Sequence, residues 1–181
     1  DVYKRQPQRK DYMQTKLEKL ISQYREFGID KQIDYDKFYL YSLITHSTAI
    51  EGSTITELEN QIMFDQGISP KGKSMAELNM NLDLKNAYEN AVKLANTHAD
   101  ISIDLLKDFS ALVMKNTGQE YKTALGAFSS ARGELRLLNV TTGIGGKSYM
   151  NYSKVPAKLS EFCVWLNKER ENYTHKSTIQ L

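Results

Sequence analysis

Apolar residues recur three and four positions apart over most of the chain, the spacing of one helical face. From about Lys10 to Phe27, Leu17, Leu20, Ile21 and Tyr24 repeat at this interval, and Gly28 ends the run. A second helix is predicted over about 36–52, carrying Leu40, Leu43, Ile44 and Ile50 and closed by Gly52. Thr56 with Glu59, and Ser74 with Glu77, have the spacing of capping boxes, in which the first turn satisfies its own orphan N–H groups. They predict a short helix to about Gly67 and a long one to about Asn96, the latter with Leu84, Tyr88, Ala91 and Ala95 as its stripe. A fifth helix follows Asp100 on Leu105, Phe109, Leu112 and Val113, and stops at Gly118. The texture then changes. Glu134–Val140 and Lys147–Tyr152 read as strands around Gly143-Ile144-Gly145-Gly146, predicting a β-hairpin over about 134–153. Pro156 opens a last helix, where a missing N–H costs little, with Val155, Leu159, Phe162, Cys163 and Leu166 facing inward. The expected fold class is mainly α with one β-hairpin.

Composition narrows the function classes. A chain of 181 residues is one domain, or one piece of a larger one. Its net charge of +2, from 24 basic and 22 acidic residues, lacks the basic surplus that holds nucleic acid. Hydrophobic residues at 40% suffice for a core. The single Cys163 excludes an internal disulfide and a cysteine zinc site, and its place on an apolar stripe suits a buried, inert thiol. No run reaches the roughly 18 apolar residues of a membrane helix, and no signal peptide is visible, so the cytoplasm is the default location. Asp1–Gln6 (DVYKRQ) reads as a non-native, adapter-derived tail, or else as an ordinary basic tail; the domain proper is expected over 7–181.

Few residues carry obvious chemistry. Gly143–Ser148 (GIGGKS) matches the end of a phosphate-binding loop, but Thr141 stands where the first glycine belongs, and a strand-like stretch follows where a helix is required. A glycine-rich turn is the simpler reading. His46, His98 and His175 have no ligand spacing, and no metal site is assigned. More informative is Ser47–Gly52 (STAIEG). Leu40, Ile44, Ser47 and Glu51 are spaced four, three and four apart, so a continuous helix places Ser47 and Glu51 on the core-facing side. A carboxylate in the last turn also opposes the helix dipole, at roughly 0.3–1 kcal/mol. Such a rule broken on a buried face calls for a partner, most simply an arginine. The alternative is a solvated glutamate at a frayed helix end.

Ser47-x-x-x-Glu51-Gly52 resembles the inhibitory motif [ST]-x-x-x-E-[GN] of Fic-domain proteins, a family of protein adenylyltransferases. The wider stretch STAIEGSTIT, Ser47 to Thr56, is similar to the family's S-x-x-I-E-G-N-x-L-T, with Ser53 in place of Asn and Ile55 in place of Leu. Gly133-Glu134-Leu135-Arg136 resembles the family's G-x-[YFL]-R segment, and the order of elements over residues 10–181 is also similar. The family's catalytic signature, H-P-F-x-[DE]-G-N-G-R, does not occur here; the resemblance places it just past Leu181. The resemblance therefore implies an incomplete Fic-like helical domain, the regulatory and target-docking part of an enzyme that moves AMP from ATP to a hydroxyl of a target protein with Mg²⁺. No catalytic residue is expected in this chain. Glu51 would pair with the signature arginine that otherwise holds the ATP γ-phosphate, and Ser47 would anchor the helix. Gly145, Gly146, Lys147, Ser148 and Tyr149 would form the flap that docks the target, and Gly133 and Arg136 the G-x-x-R segment. A homo-oligomer is compatible with this reading, as are exposed apolar faces that associate. A non-catalytic helical adaptor that binds another protein is the competing function.

Overall fold

The computed structural model describes residues 6–32, 34–143 and 145–173, with side chains from residue 16 onward except at 30, 172 and 173. Residues 1–5, Ile144 and His175 lie outside the described residues, and with them most of the supposed tail. Among the described residues six α-helices follow one another: α1 (Gln6–Glu26), α2 (Tyr35–Ile50), α3 (Glu57–Gln66), α4 (Met75–Asn96), α5 (Ile103–Val113) and α6 (Val155–Tyr173). Between α5 and α6 lie two antiparallel strands, β1 (Glu120–Thr123) and β2 (Gly126–Ser129), with Glu120 opposite Ser129 and Thr123 opposite Gly126. The chain is mainly helical with one hairpin.

The contacts divide the described residues into two units, one up to Tyr39 and one over residues 40–173. In the first, Gly28 ends α1 in a left-handed conformation, φ 65°, where glycine carries no Cβ penalty. Its Tyr24 and Tyr35 rings lie 6.3 Å apart, and those of Tyr35 and Tyr39 6.1 Å.

The second unit holds the apolar centre. Ile55, Met63 and Leu78 are buried together with Phe64 against them, and Ile44 of α2 is fully buried. Each such burial contributes about 1.5–3 kcal/mol. Both capping boxes form as the spacing predicts, at Thr56/Glu59 and Ser74/Glu77. Ser102 caps α5. Asn167 of α6 ties that helix to the chain before α5 through both Ile101 backbone groups, each at 2.9 Å. Cys163 is buried and free.

Three expectations need correction. The buried side of α4 is Leu78, Asn81, Asp83 and Ala87, whereas Tyr88 and Ala95 are exposed. The polar Asn81 and Asp83 hid this face from an apolar count. Next, the regular hairpin sits at 120–129, not 134–153. Its strands have four residues each and little apolar alternation, so the sequence does not announce them; the stacked pair Tyr121–Phe128, with ring centroids 4.9 Å apart, is their main cross-strand contact. Over 134–153 the two arms meet antiparallel through the bridge Thr141–Ser148, and among the described residues neither arm is a strand. Leu135, Leu137 and Leu138 are apolar because they are half-buried, which imitated a strand. Finally, α2 ends at Ile50, so the stripe through Leu40 and Ile44 does not continue to Glu51, which is exposed in the turn beyond. Among the described residues no helix is long and apolar enough to cross a membrane.

Candidate functional site

Ser47, Glu51 and Gly52 lie at the end of α2, where the chain reverses toward α3. Ser47 is half-buried, and its hydroxyl has no partner among the described residues. Past it the helix closes through short backbone bonds. Glu51 N–H donates to Thr48 O at 3.1 Å, Gly52 N–H to Ala49 O at 3.0 Å, and Ser53 N–H to Thr48 O at 3.0 Å. Gly52 takes φ 95°, a conformation that L side chains rarely adopt, although space around it is open. The Glu51 carboxylate therefore points from a closed turn and has no partner among the described residues. The arginine expected beside it is not among them.

What holds this reversal is a polar layer that the sequence reading missed. Thr45, Thr48, Ser53, Asn60 and Asn81 are all buried. Asn60 Nδ2 donates to Thr45 Oγ1 at 2.8 Å and to Asn81 Oδ1 at 2.9 Å. The Thr48 hydroxyl lies 2.9 Å from both Asn81 Oδ1 and Ile44 O, and Asn81 Nδ2 donates to Ser53 Oγ at 3.1 Å. Buried amides are stable only when so paired, because an unmade bond costs about 1–3 kcal/mol. The legible signal was polar: Asn60 precedes Met63 by three positions and Asn81 follows Leu78 by three, so both share the faces of core residues.

The chain after the reversal is gripped from outside. Glu77 Oε1 accepts from Thr54 N–H at 2.8 Å and Thr54 Oγ1 at 2.7 Å, while Oε2 accepts from Ser74 N–H and Oγ. Lys73 Nζ donates to Thr54 O at 2.6 Å and lies 3.4 Å from Glu59 Oε2. Backbone donation from Ser74, then from Thr54, pulls the Glu77 carboxyl from 4.5 down to about 2. Its folded pKa is depressed, so the stability it confers is complete above about pH 4.5 and is lost as pH falls toward 2. Glu77→Gln should therefore flatten the acid limb of a Tm-against-pH curve in that window. An unchanged acid limb would contradict this role. Donation from Thr56 N–H likewise lowers the Glu59 carboxyl.

The second set of site residues surrounds the irregular loop. Gly133 is buried with φ 65°, and a Cβ there would stand 1.9 Å from Lys107 O of α5. Ser129 N–H and Arg132 bind the neighbouring Glu134, whose pKa falls chiefly through the Arg132 bond. Arg136 donates to Leu138 O at 2.6 Å and to Met150 O, so its guanidinium spans both arms of the loop. Thr142 N–H to Lys147 O and Tyr149 N–H to Val140 O, at 3.1 and 3.0 Å, join the arms, and Gly146 N–H donates to Gly143 O at the tip. Gly145, with φ 74°, Lys147, Ser148 and Tyr149 are exposed there. An open cavity of about 520 Å³ lies at the base, lined among others by Leu106, Tyr121, Phe128, Leu135, Arg136 and Leu159. The structure thus builds two groups of site residues on separate elements, and no described bond joins them. Among the described residues no group of three His, Cys, Asp or Glu is placed to hold a metal ion.

No protein-family model matches the chain, and no curated protein matches it in sequence. Solved structures do match. One is a fragment of Fic-1 from C. elegans, at 20% sequence identity and a TM-score of 0.54. The match covers 91% of this chain and 46% of that one, so the chain spans about half the length of the solved relative. With its helical order and its hairpin, the chain has a Fic-like fold.

Proposed function

We propose that the chain is the regulatory and target-docking part of an autoinhibited Fic-type enzyme that transfers AMP from ATP to a hydroxyl side chain of a protein. The observation that carries this reading is the Glu51 carboxylate, exposed on a closed reversal at the end of α2 in a Fic-like fold. In the full-length protein Glu51 takes the arginine that otherwise binds the ATP γ-phosphate. Two anions compete for one cation, and the pair is strong because a guanidinium meets a carboxylate in a matched fork. ATP then sits with its α-phosphorus turned away from the acceptor oxygen. Ser47, half-buried one turn earlier, steadies the helix in that closed state. Gly145–Tyr149 form the exposed tip of the loop, and the target is held against it as an added strand-like segment. ATP is the substrate, and Mg²⁺ is bound outside the described residues. The protein acts in the cytoplasm, alone or as a homo-oligomer.

The test is intact-mass analysis of the full-length Glu51→Gly protein after incubation with ATP and Mg²⁺. A gain of one AMP per modified hydroxyl is expected. A gain of another group would correct the chemistry, and no gain would favour the adaptor reading. That second reading draws on one observation, the exposed apolar side of α6, where Val164 is 68% and Trp165 55% accessible.

A further inference from the structure

One side chain holds both ends of the reversal that carries Glu51. Asn81, fully buried on α4, faces Thr48 three residues before Glu51 and Ser53 two residues after it. Its Oδ1 lies 2.9 Å from the Thr48 hydroxyl, and its Nδ2 donates to Ser53 Oγ at 3.1 Å. The same Nδ2 also donates to Glu77 O at 2.9 Å, one turn back on α4. Asn60, likewise fully buried, donates to Asn81 Oδ1 and orients the amide. Asn60 Oδ1 is buried and has no hydrogen-bond partner among the described residues, so the layer is kept at a cost in stability. An apolar residue at 81 could fill this space, but it could not fix direction. Dispersion contacts let α2 slide on α4, whereas hydrogen bonds from one planar amide set the separation and register of residues 48 and 53.

We infer that Asn81 is a positioning residue for Glu51, holding the inhibitory turn in one conformation from the neighbouring helix α4. This rests on the reading of Glu51 as the inhibitory carboxylate. A bidentate carboxylate–guanidinium pair tolerates little displacement, so a turn free to open engages the arginine only part of the time. Loosening the amide layer then releases inhibition with no change to Glu51 itself.

Two readouts test this. The first is amide hydrogen exchange at Glu51, Gly52 and Ser53 of this chain, with the α5 amides as the internal reference. Asn81→Ala and Thr48→Val should speed exchange at these three amides by roughly fivefold for each hydrogen bond lost, while α5 stays unchanged. Thr48→Ser, which keeps the hydroxyl, should behave as wild type. Equal acceleration across α5, or none at the reversal, would overturn the inference. The second is self-labelling with AMP in the full-length protein. Asn81→Ala should raise labelling in the wild-type background and add nothing in the Glu51→Gly background. Equal loss in both backgrounds would mark Asn81 as merely structural and overturn the inference. If Glu51→Gly alone leaves labelling unchanged, the Glu51 reading is what has failed, and the exchange measurement alone decides whether Asn81 holds the turn. Should Asn81→Ala fail to fold, Thr48→Val carries both readouts.

Discussion

Gly133→Ala should destabilise the chain by roughly 3 kcal/mol or more and lower its Tm by about 10 °C. Two independent effects add at this position. The backbone sits at φ 65°, which disfavours any Cβ, and the new Cβ would stand 1.9 Å from Lys107 O, 2.8 Å from Lys107 C and 3.0 Å from Ala111 N. These are backbone atoms inside α5, so no side-chain rotation relieves the overlap. The segment after Gly133 must withdraw from α5, taking Glu134 away from Ser129 N–H and Arg136 away from its carbonyls. Gly52→Ala is the control. Its φ of 95° is also strained, but nothing lies within 4 Å, so only the smaller conformational penalty of about 1–2 kcal/mol applies. Thermal unfolding of both variants checks the contrast, and a Gly133→Ala protein as stable as Gly52→Ala would refute the close approach to α5.

The second large effect concerns activity without stability. Glu51 is exposed and has no partner among the described residues. Its removal should leave the Tm of this chain within roughly 2 °C of wild type, as for other surface substitutions. In the full-length protein the same change frees the arginine. A hydrogen bond to a charged group is worth about 1.5–3 kcal/mol, so labelling should rise roughly tenfold to a hundredfold. Glu51→Gln keeps the shape and loses the charge, and should give an intermediate rise. A large Tm change with Glu51→Gly would mean that the carboxylate is structural.

Helices were legible because their signals are local. Gly28, the Thr56/Glu59 and Ser74/Glu77 boxes and Pro156 each act within one turn, and the helices start or stop close to those residues. The hairpin was not legible. β1 and β2 are short, and their stacked Tyr121–Phe128 pair exists only after pairing. The leucines of 134–140 carried a strand-like pattern for a tertiary reason, since they are half-buried in a segment that, among the described residues, pairs at the Thr141–Ser148 bridge rather than as strands. At the site, Ser47–Gly52 could be found as a motif, but the burial assigned to Glu51 assumed that α2 runs on past Ile50. The residues that hold the motif, Asn60 and Asn81, were invisible to a reading that follows apolar stripes. They sit on core faces while being polar, and only their mutual hydrogen bonds explain why they are there.

The most direct measurement is self-labelling of the full-length protein with α-phosphate-labelled ATP, wild type beside Glu51→Gly at equal concentration. The account predicts at least tenfold more label in the variant. Equal labelling of the two proteins would contradict Glu51 as the inhibitory group.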